Sequence, residues 1–159
     1  MVNSVTNVPI SKPCCNGIFA FSIWDAKRAE LFSARDRLGV KPFFYTYLNE
    51  RLIFASEIKA LFAAGAPCQP DYGAIRDYLC EGIYEHGSRT FFDGITQLPP
   101  GWSLRVVDGK VHIAPYWQLE VDSDDEVSEA CIEADEKTIV SFAERFGALA
   151  EDAIKLQLR

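Results

Sequence analysis

No stretch of this chain approaches the ~18 consecutive apolar residues that a membrane-spanning helix requires, so no membrane partner is expected. Basic charge is scarce as well. Lys and Arg total 16 against 23 Asp and Glu, a net charge of −7, which argues against a nucleic-acid partner, since a phosphate backbone selects clustered cations. The first fifteen residues, MVNSVTNVPISKPCC, lack both a basic start and an apolar core, so they do not read as a secretory signal. Five cysteines without regular spacing fit reduced thiols better than a disulfide framework. The expected compartment is cytoplasmic. Histidine is nearly missing: His86 and His112 stand far apart with no Cys or carboxylate at ligand spacing, so no metal site is expected. Neither GxGxxG nor the GxxxxGK phosphate loop occurs, so nucleotide binding through those motifs is excluded and no cofactor-binding residue is assigned.

What the chain does have is a dense set of aromatic and branched residues, with 48% hydrophobic content over 159 positions, enough for the core of one ordinary domain. Residues 16–61 organise the rest. Apolar stretches at 17–24, 30–35, 43–48 and 51–55 read as strands, separated by turns at Asp25-Ala26-Lys27-Arg28 and Asn49-Glu50. Phe19, Phe21 and Ile23 alternate with Ala20 and Trp24, so both faces carry apolar groups and both need cover. Ser56 is the expected N-cap of a helix running through Ile58, Leu61 and Phe62 to Gly65, with Glu57 at the positive end of its dipole. A second helix is expected from Asp71 to Gly82, carrying Ile75, Tyr78 and Leu79. Residues 83–101 read as irregular. Strands at 102–107 and 110–114 flank Asp108-Gly109, a dipeptide preferred by tight hairpins.

Composition divides the chain further. Residues 1–15 alternate with neither period and read as a divergent arm. Residues 118–135, with Asp122, Asp124, Asp125 and Glu126, read as an acidic exposed linker. Residues 136–159 read as one long helix with an apolar stripe of Ile139, Phe142, Phe146, Leu149, Ala153 and Leu156, weakened slightly by Gly147. Such a stripe needs a partner surface, and little in the chain remains to supply one.

Two places could carry chemistry. Cys14-Cys15 could be nucleophiles, but neither has a histidine base nearby in sequence, and ordinary thiols are the simpler reading. The densest polar cluster is Arg35-Asp36-Arg37-Leu38-Gly39-Val40-Lys41-Pro42. Arg35 and Arg37 could hold a carboxylate or phosphate, and Asp36 could act as a base. The competing reading is a scaffold loop in which Arg35, Asp36 and Arg37 pair with one another at a strand-to-strand crossing, with Gly39 permitting its geometry. The residues alone reveal no catalytic constellation.

Three segments, GIFAFSIWD at 17–25, ARDRLGVKP at 34–42 and FASEIKAL at 54–61, followed by LPPG at 98–101 and Tyr116-Trp117, resemble the glutamine-hydrolysing asparagine synthetases. The match is to the second half of that family's class II glutamine amidotransferase domain, residues 16–117 here. Residues 146–159 are similar to the helix preceding the family's ATP-binding SGGLDSS segment. The resemblance implies an α+β fold, a partial αββα sandwich of the N-terminal-nucleophile hydrolase type, followed by the linker and the first helix of a synthetase domain. It further implies a two-site enzyme. A terminal cysteine hydrolyses glutamine, its free amine relaying the proton, and the ammonia passes through a tunnel to aspartate activated with ATP and Mg²⁺.

This sequence departs from that pattern where the chemistry lies. Val2 stands where the family's nucleophile follows the initiator Met, and the RGPD, YNGE and SDTE segments that bind glutamine do not occur. Of the matched positions, Ile18 and Lys41 align near the tunnel mouth; a core side chain and a surface lysine are the plainer alternatives. The resulting expectation is a truncated piece of a glutamine-dependent asparagine synthetase, lacking both active sites and inactive alone. It should self-associate or pair with an intact synthetase. A non-catalytic binding or regulatory remnant is the alternative, and recruitment of Cys14 or Cys15 as a replacement nucleophile is a third reading.

Overall fold

The computed structural model describes residues 17–84, 87–119 and 136–158. The chain divides into two compact units, Met1–Gln118 and Leu119–Arg159.

The first unit begins with two antiparallel hairpins. Strand β1 (Ala20–Asp25) pairs with β2 (Glu30–Arg35), Ala20 opposite Arg35 and Asp25 opposite Glu30. The Asp25 carboxylate fastens the turn by accepting from the N–H groups of Lys27 and Arg28 at 2.9 and 3.3 Å. Strand β3 (Phe44–Leu48) pairs with β4 (Arg51–Ala55). Their turn residues Asn49 and Glu50 both have positive φ, 49° and 63°, the twist that a two-residue hairpin favours. The hairpins do not join one sheet. The first continues through β6 (Trp102–Val107) and β7 (Lys110–Pro115) into sheet 1, ordered β1-β2-β6-β7; the second takes on β5 (Thr96–Gln97) as sheet 2, ordered β4-β3-β5. The β6–β7 turn, Asp108-Gly109, has φ of 50° and 72°, as the dipeptide predicts.

A shared apolar cluster packs the two sheets together. Phe43, Tyr45, Leu98 and Leu104 are buried, with Ala20, Leu52, Trp102, Val106 and Val111 packed around them. Each fully buried side chain of Leu type contributes about 1.5–3 kcal/mol. Burial also pushes the Tyr45 phenol above its usual pKa, with a smaller opposing effect from its hydrogen bond with Thr96. The other face of sheet 2 is covered by a short helix, α1 (Ile58–Ala63), where Leu61, Ala66 and Ile95 are buried beside Phe44, Ile53, Phe62 and Phe92. Sheet 2 is therefore covered on both faces. Among the described residues of this unit no helix packs on sheet 1; the aromatic residues Phe19, Phe21 and Phe32 pack on one another at centroid distances of 5.4 and 6.1 Å.

The helix ends show one correction and one agreement. Glu57, not Ser56, is the N-cap of α1, with extended backbone and no side-chain cap bond; its carboxylate pairs with Lys59 instead. Helix α2 (Tyr72–Glu81) is capped as expected, since the Asp71 carboxylate accepts from the Ala74 N–H at 3.0 Å and Gly82 closes the helix in the left-handed conformation. The nominally irregular residues 83–101 also contain β5, whose two residues pair with β3.

In the second unit, helix α3 (Glu136–Gln157) is a single run of 22 residues. Most of the acidic stretch, residues 120–135, lies outside the described residues, as does the arm at 1–15. Among the described residues no helix is long and apolar enough to cross a membrane.

Candidate functional site

The polar cluster singled out from the sequence sits where β2 leaves sheet 1 and the chain crosses to β3. Asp36 is 2% exposed and Arg35 4%. A charge buried that deeply requires partners, and here backbone groups supply them. The Asp36 carboxylate accepts from the Val40 N–H through Oδ1 and from the Lys41 N–H through Oδ2, both at 2.9 Å. Its backbone N–H donates to the Phe19 carbonyl at 2.8 Å, while its carbonyl accepts from Gly39 at 3.1 Å and Gly101 at 2.9 Å. One residue thus ties together the start of β1, its own loop and the approach to β6.

Arg35 does the same with its guanidinium. Nε donates to the Lys41 carbonyl at 2.7 Å, Nη1 to Leu98 at 2.7 Å and Nη2 to Gly39 at 2.6 Å. With the Gln97 amide oriented so that its oxygen faces the guanidinium, that oxygen accepts from Nη1 and Nη2 at 2.8 and 2.9 Å. Those five contacts match the five N–H donors of an arginine. The Arg35 carbonyl is also used, accepting from the Tyr116 hydroxyl at 2.6 Å.

Close approach fixes the glycines. Gly39 has φ +67°, and a Cβ there would fall 2.7 Å from Cγ of Pro100 and 2.9 Å from Nη2 of Arg35. Gly101 has φ +72°, and its Cβ would meet the Trp117 carbonyl oxygen at 2.7 Å. Arg37 stands with its guanidinium carbon 5.8 Å from the Trp117 ring centroid, a cation–π distance; its Nε is buried without a hydrogen-bond partner. The side chains of Arg35, Asp36 and Arg37 thus brace backbone and an aromatic ring instead of pairing with one another.

The Arg35–Asp36 pair is closed. A general base needs a lone pair aimed at substrate and an anion site needs unspent donors, whereas both oxygens of the buried Asp36 and the Arg35 fork are already engaged by backbone and Gln97; the Arg37 Nε is outside that pair and stays unpaired. Ile18 and Lys41 border this hub. Phe19, the residue after Ile18, accepts from the Asp36 N–H, and the Asp36 carboxylate holds the Lys41 N–H. Both side chains are exposed.

The remaining candidates are not gathered into a site. His112 is exposed on β7; His86, Cys14 and Cys15 lie outside the described residues. Cys68 and Cys80 are exposed free thiols. Among the described residues no three His, Cys, Asp or Glu side chains converge as metal ligands. Sequence reasoning missed Arg89, which reaches the N-cap of α2 in a two-pronged contact, Nη2 at 2.7 Å and Nε at 3.3 Å from the Asp71 carboxylate. The Ala74 N–H first, and Arg89 second, hold the Asp71 carboxyl below its usual pKa. Nothing in an 18-residue separation signals that pair. Tyr116 and Gln97 were missed for the same reason, although Tyr116 stands in the motif that carries the resemblance.

Residues 11–117 match the family model described as a glutamine amidotransferase domain. Asparagine synthetase (glutamine-hydrolyzing) 3 of Bacillus subtilis is 45% identical over 111 residues, covering 66% of this chain and 17% of that protein. This chain belongs to the asparagine synthetase family of glutamine amidotransferase domains. The family match begins five residues before position 16, inside the arm that composition sets apart, and ends at Trp117, just past β7. Asparagine synthetase (glutamine-hydrolyzing) 2 of the same organism is 39% identical over 111 residues, 65% of this chain and 15% of that protein. The amidase chyE of Penicillium rubens is 39% identical over 105 residues, again 65% and 15%. The chain spans about a sixth of the length of these family members.

Proposed function

We propose that this chain supplies the scaffold of a glutaminase site in a glutamine-dependent asparagine synthetase and performs no chemistry by itself. In this reading it is a piece of the parent enzyme that lacks both active sites. Its two sheets with α1 are one part of an αββα sandwich of the N-terminal-nucleophile hydrolase type, and α3 opens the synthetase domain. The observation that carries the role is the Arg35–Asp36 hub: its ionisable groups are spent on backbone, so the hub shapes the crossing and offers nothing to a substrate. The 45% identity to a glutamine-hydrolysing asparagine synthetase supports the choice of parent enzyme.

Ile18 and Lys41 then border the path of ammonia, positioned by the backbone bonds that Asp36 makes. ATP and Mg²⁺ belong to the synthetase domain of the parent. This chain has no phosphate loop, and its described residues offer no converging metal ligands, so no step through those groups is assigned to it. The parent reaction, with its soluble substrates, is placed in the cytoplasm.

The test is an assay of the purified chain for glutamate released from glutamine and for asparagine formed from aspartate and ATP. Neither product should exceed a buffer blank. Glutamate release that disappears in the Cys14→Ala, Cys15→Ala chain would overturn the reading, because it would show a nucleophile within this sequence.

A further inference from the structure

The chain leaves the first unit through Tyr116 and Trp117, and a cluster of contacts pins that exit onto the crossing loop. The Tyr116 and Trp117 N–H groups both donate to the Gly101 carbonyl, at 2.9 and 3.1 Å. The Tyr116 hydroxyl donates to the Arg35 carbonyl at 2.6 Å. The Trp117 ring faces Arg37, with 5.8 Å from its centroid to the guanidinium carbon. That guanidinium makes no hydrogen bond or ion pair to a described residue, its Nε being buried without an acceptor, so the ring is what holds it. Gly101 is bound in turn to Asp36. Its N–H donates to the Asp36 carbonyl at 2.9 Å, and the Asp36 carboxylate holds the Val40 and Lys41 N–H groups, both at 2.9 Å. The bonds form one unbroken line from Trp117 through Gly101 and Asp36 to Lys41. It has no slack at Gly101, where a Cβ would fall 2.7 Å from the Trp117 carbonyl oxygen.

We propose that Trp117 is a positioning residue for the loop that carries Lys41, so that the path of the chain out of this unit and the shape of residues 36–41 open and close together. Coupling between two places in a protein needs an element with two arrangements that both places bias, and the line through Gly101 and Asp36 is such an element. With the Trp117 ring seated on Arg37, the Gly101 carbonyl is held by two N–H groups and the Asp36 carbonyl by the Gly101 N–H, which fixes the Asp36 carboxylate over the Val40 and Lys41 amides. With the ring withdrawn, Gly101 loses its hold on the exit, Asp36 is freed at its carbonyl, and the loop loosens. Ordering either end lowers the cost of ordering the other. The coupling stands on these contacts alone. Its use, an exit segment that sets the edge of the ammonia path at Lys41, rests on the glutaminase reading.

Amide hydrogen exchange in the full chain tests the coupling. Trp117→Ala touches none of the bonds that the Val40 and Lys41 amides make, yet it should speed exchange of both roughly tenfold, while the central amides of β2 change by less than about twofold. Trp117→Phe keeps an aromatic face for Arg37 and should return both amides to within about threefold of the parent chain. Coupling is reciprocal, so Asp36→Asn should speed the Tyr116 and Trp117 amides along with those of Val40 and Lys41. In the double variant Trp117→Ala, Asp36→Asn the Val40 and Lys41 amides should exchange within about threefold of Asp36→Asn alone, because the line is already cut; independent sites would add a further factor of about ten. A Trp117→Ala chain whose Val40 and Lys41 amides keep the parent rate overturns the proposal. So does one in which β2 speeds as much as the loop, since the ring would then support the fold at large, and so do rates that multiply in the double variant. Glutamate release in the assay above bears on the glutaminase reading alone and leaves the coupling untouched.

Discussion

The Arg35–Asp36 crossing and helix α3 are opposites in what they leave unspent. At the crossing, two ionised side chains are almost completely buried and engaged by backbone carbonyls and N–H groups. On α3 the large apolar groups are exposed, Phe146 by 74%. Arg35 and Asp36 hold a structure together with the groups that could otherwise meet a ligand, whereas α3 presents apolar groups at its surface. Polar residues in a dense motif invite a catalytic reading, yet what decides their role is whether their hydrogen-bonding capacity is already used.

The largest expected break of that contrast is Asp36→Ala. It removes two charge-assisted hydrogen bonds, those from the Val40 and Lys41 N–H groups to a carboxylate that is 2% exposed, and urea unfolding should show a loss of about 3–5 kcal/mol. Gly39→Ala comes next. Its left-handed backbone and the 2.7 Å approach of Pro100 to the new Cβ should cost about 2–3 kcal/mol in the same measurement. Tyr116→Phe removes one hydroxyl from the Arg35 carbonyl, and a loss of about 1 kcal/mol should follow. On the other side of the comparison, Phe146→Ala should change the unfolding free energy of the first unit by less than about 0.5 kcal/mol.

The smallest effect is one of pH. Asp71 is held below its usual pKa by the Ala74 N–H and by Arg89, so its contribution is fully present above the unfolded value of about 3.9 and is lost as pH falls through the lower folded value. Asp71→Asn should therefore flatten the acid side of the stability profile, measured by thermal melts from neutral pH downward. A variant as acid-sensitive as the parent chain would remove Asp71 from the account.

The sequence made local features legible and left distant ones hidden. Strands β2 and β4, the Asp71 cap, the Gly82 stop and the Asp108-Gly109 turn follow from neighbouring residue types, because alternation, capping oxygens and positive φ are local physics. The division into two sheets was not legible. Periodicity says that a segment is a strand, but not that β2 pairs with β6 some seventy residues on, nor that β3 pairs with Thr96-Gln97 in a segment interrupted by Gly87, Gly94 and Pro99-Pro100. Ser56 failed as a cap because the backbone turns helical one residue later, at Ile58, which leaves Glu57 at the cap position. The scaffold loop was visible as a cluster, but its partners were not: the acceptors at Leu98 and Gln97 and the Tyr116 hydroxyl donor come from sixty to eighty residues away.

Amide hydrogen exchange at Val40 and Lys41 tests the central claim most directly. If Asp36 is spent on holding this loop, these two amides, which no regular strand protects, should exchange as slowly as those in the centre of β2, and Asp36→Asn should speed both by at least about tenfold. Exchange of both amides at the rate of an open loop in the parent chain, or rates unaltered by Asp36→Asn, would contradict the claim and return Asp36 to the list of groups free to act on a substrate.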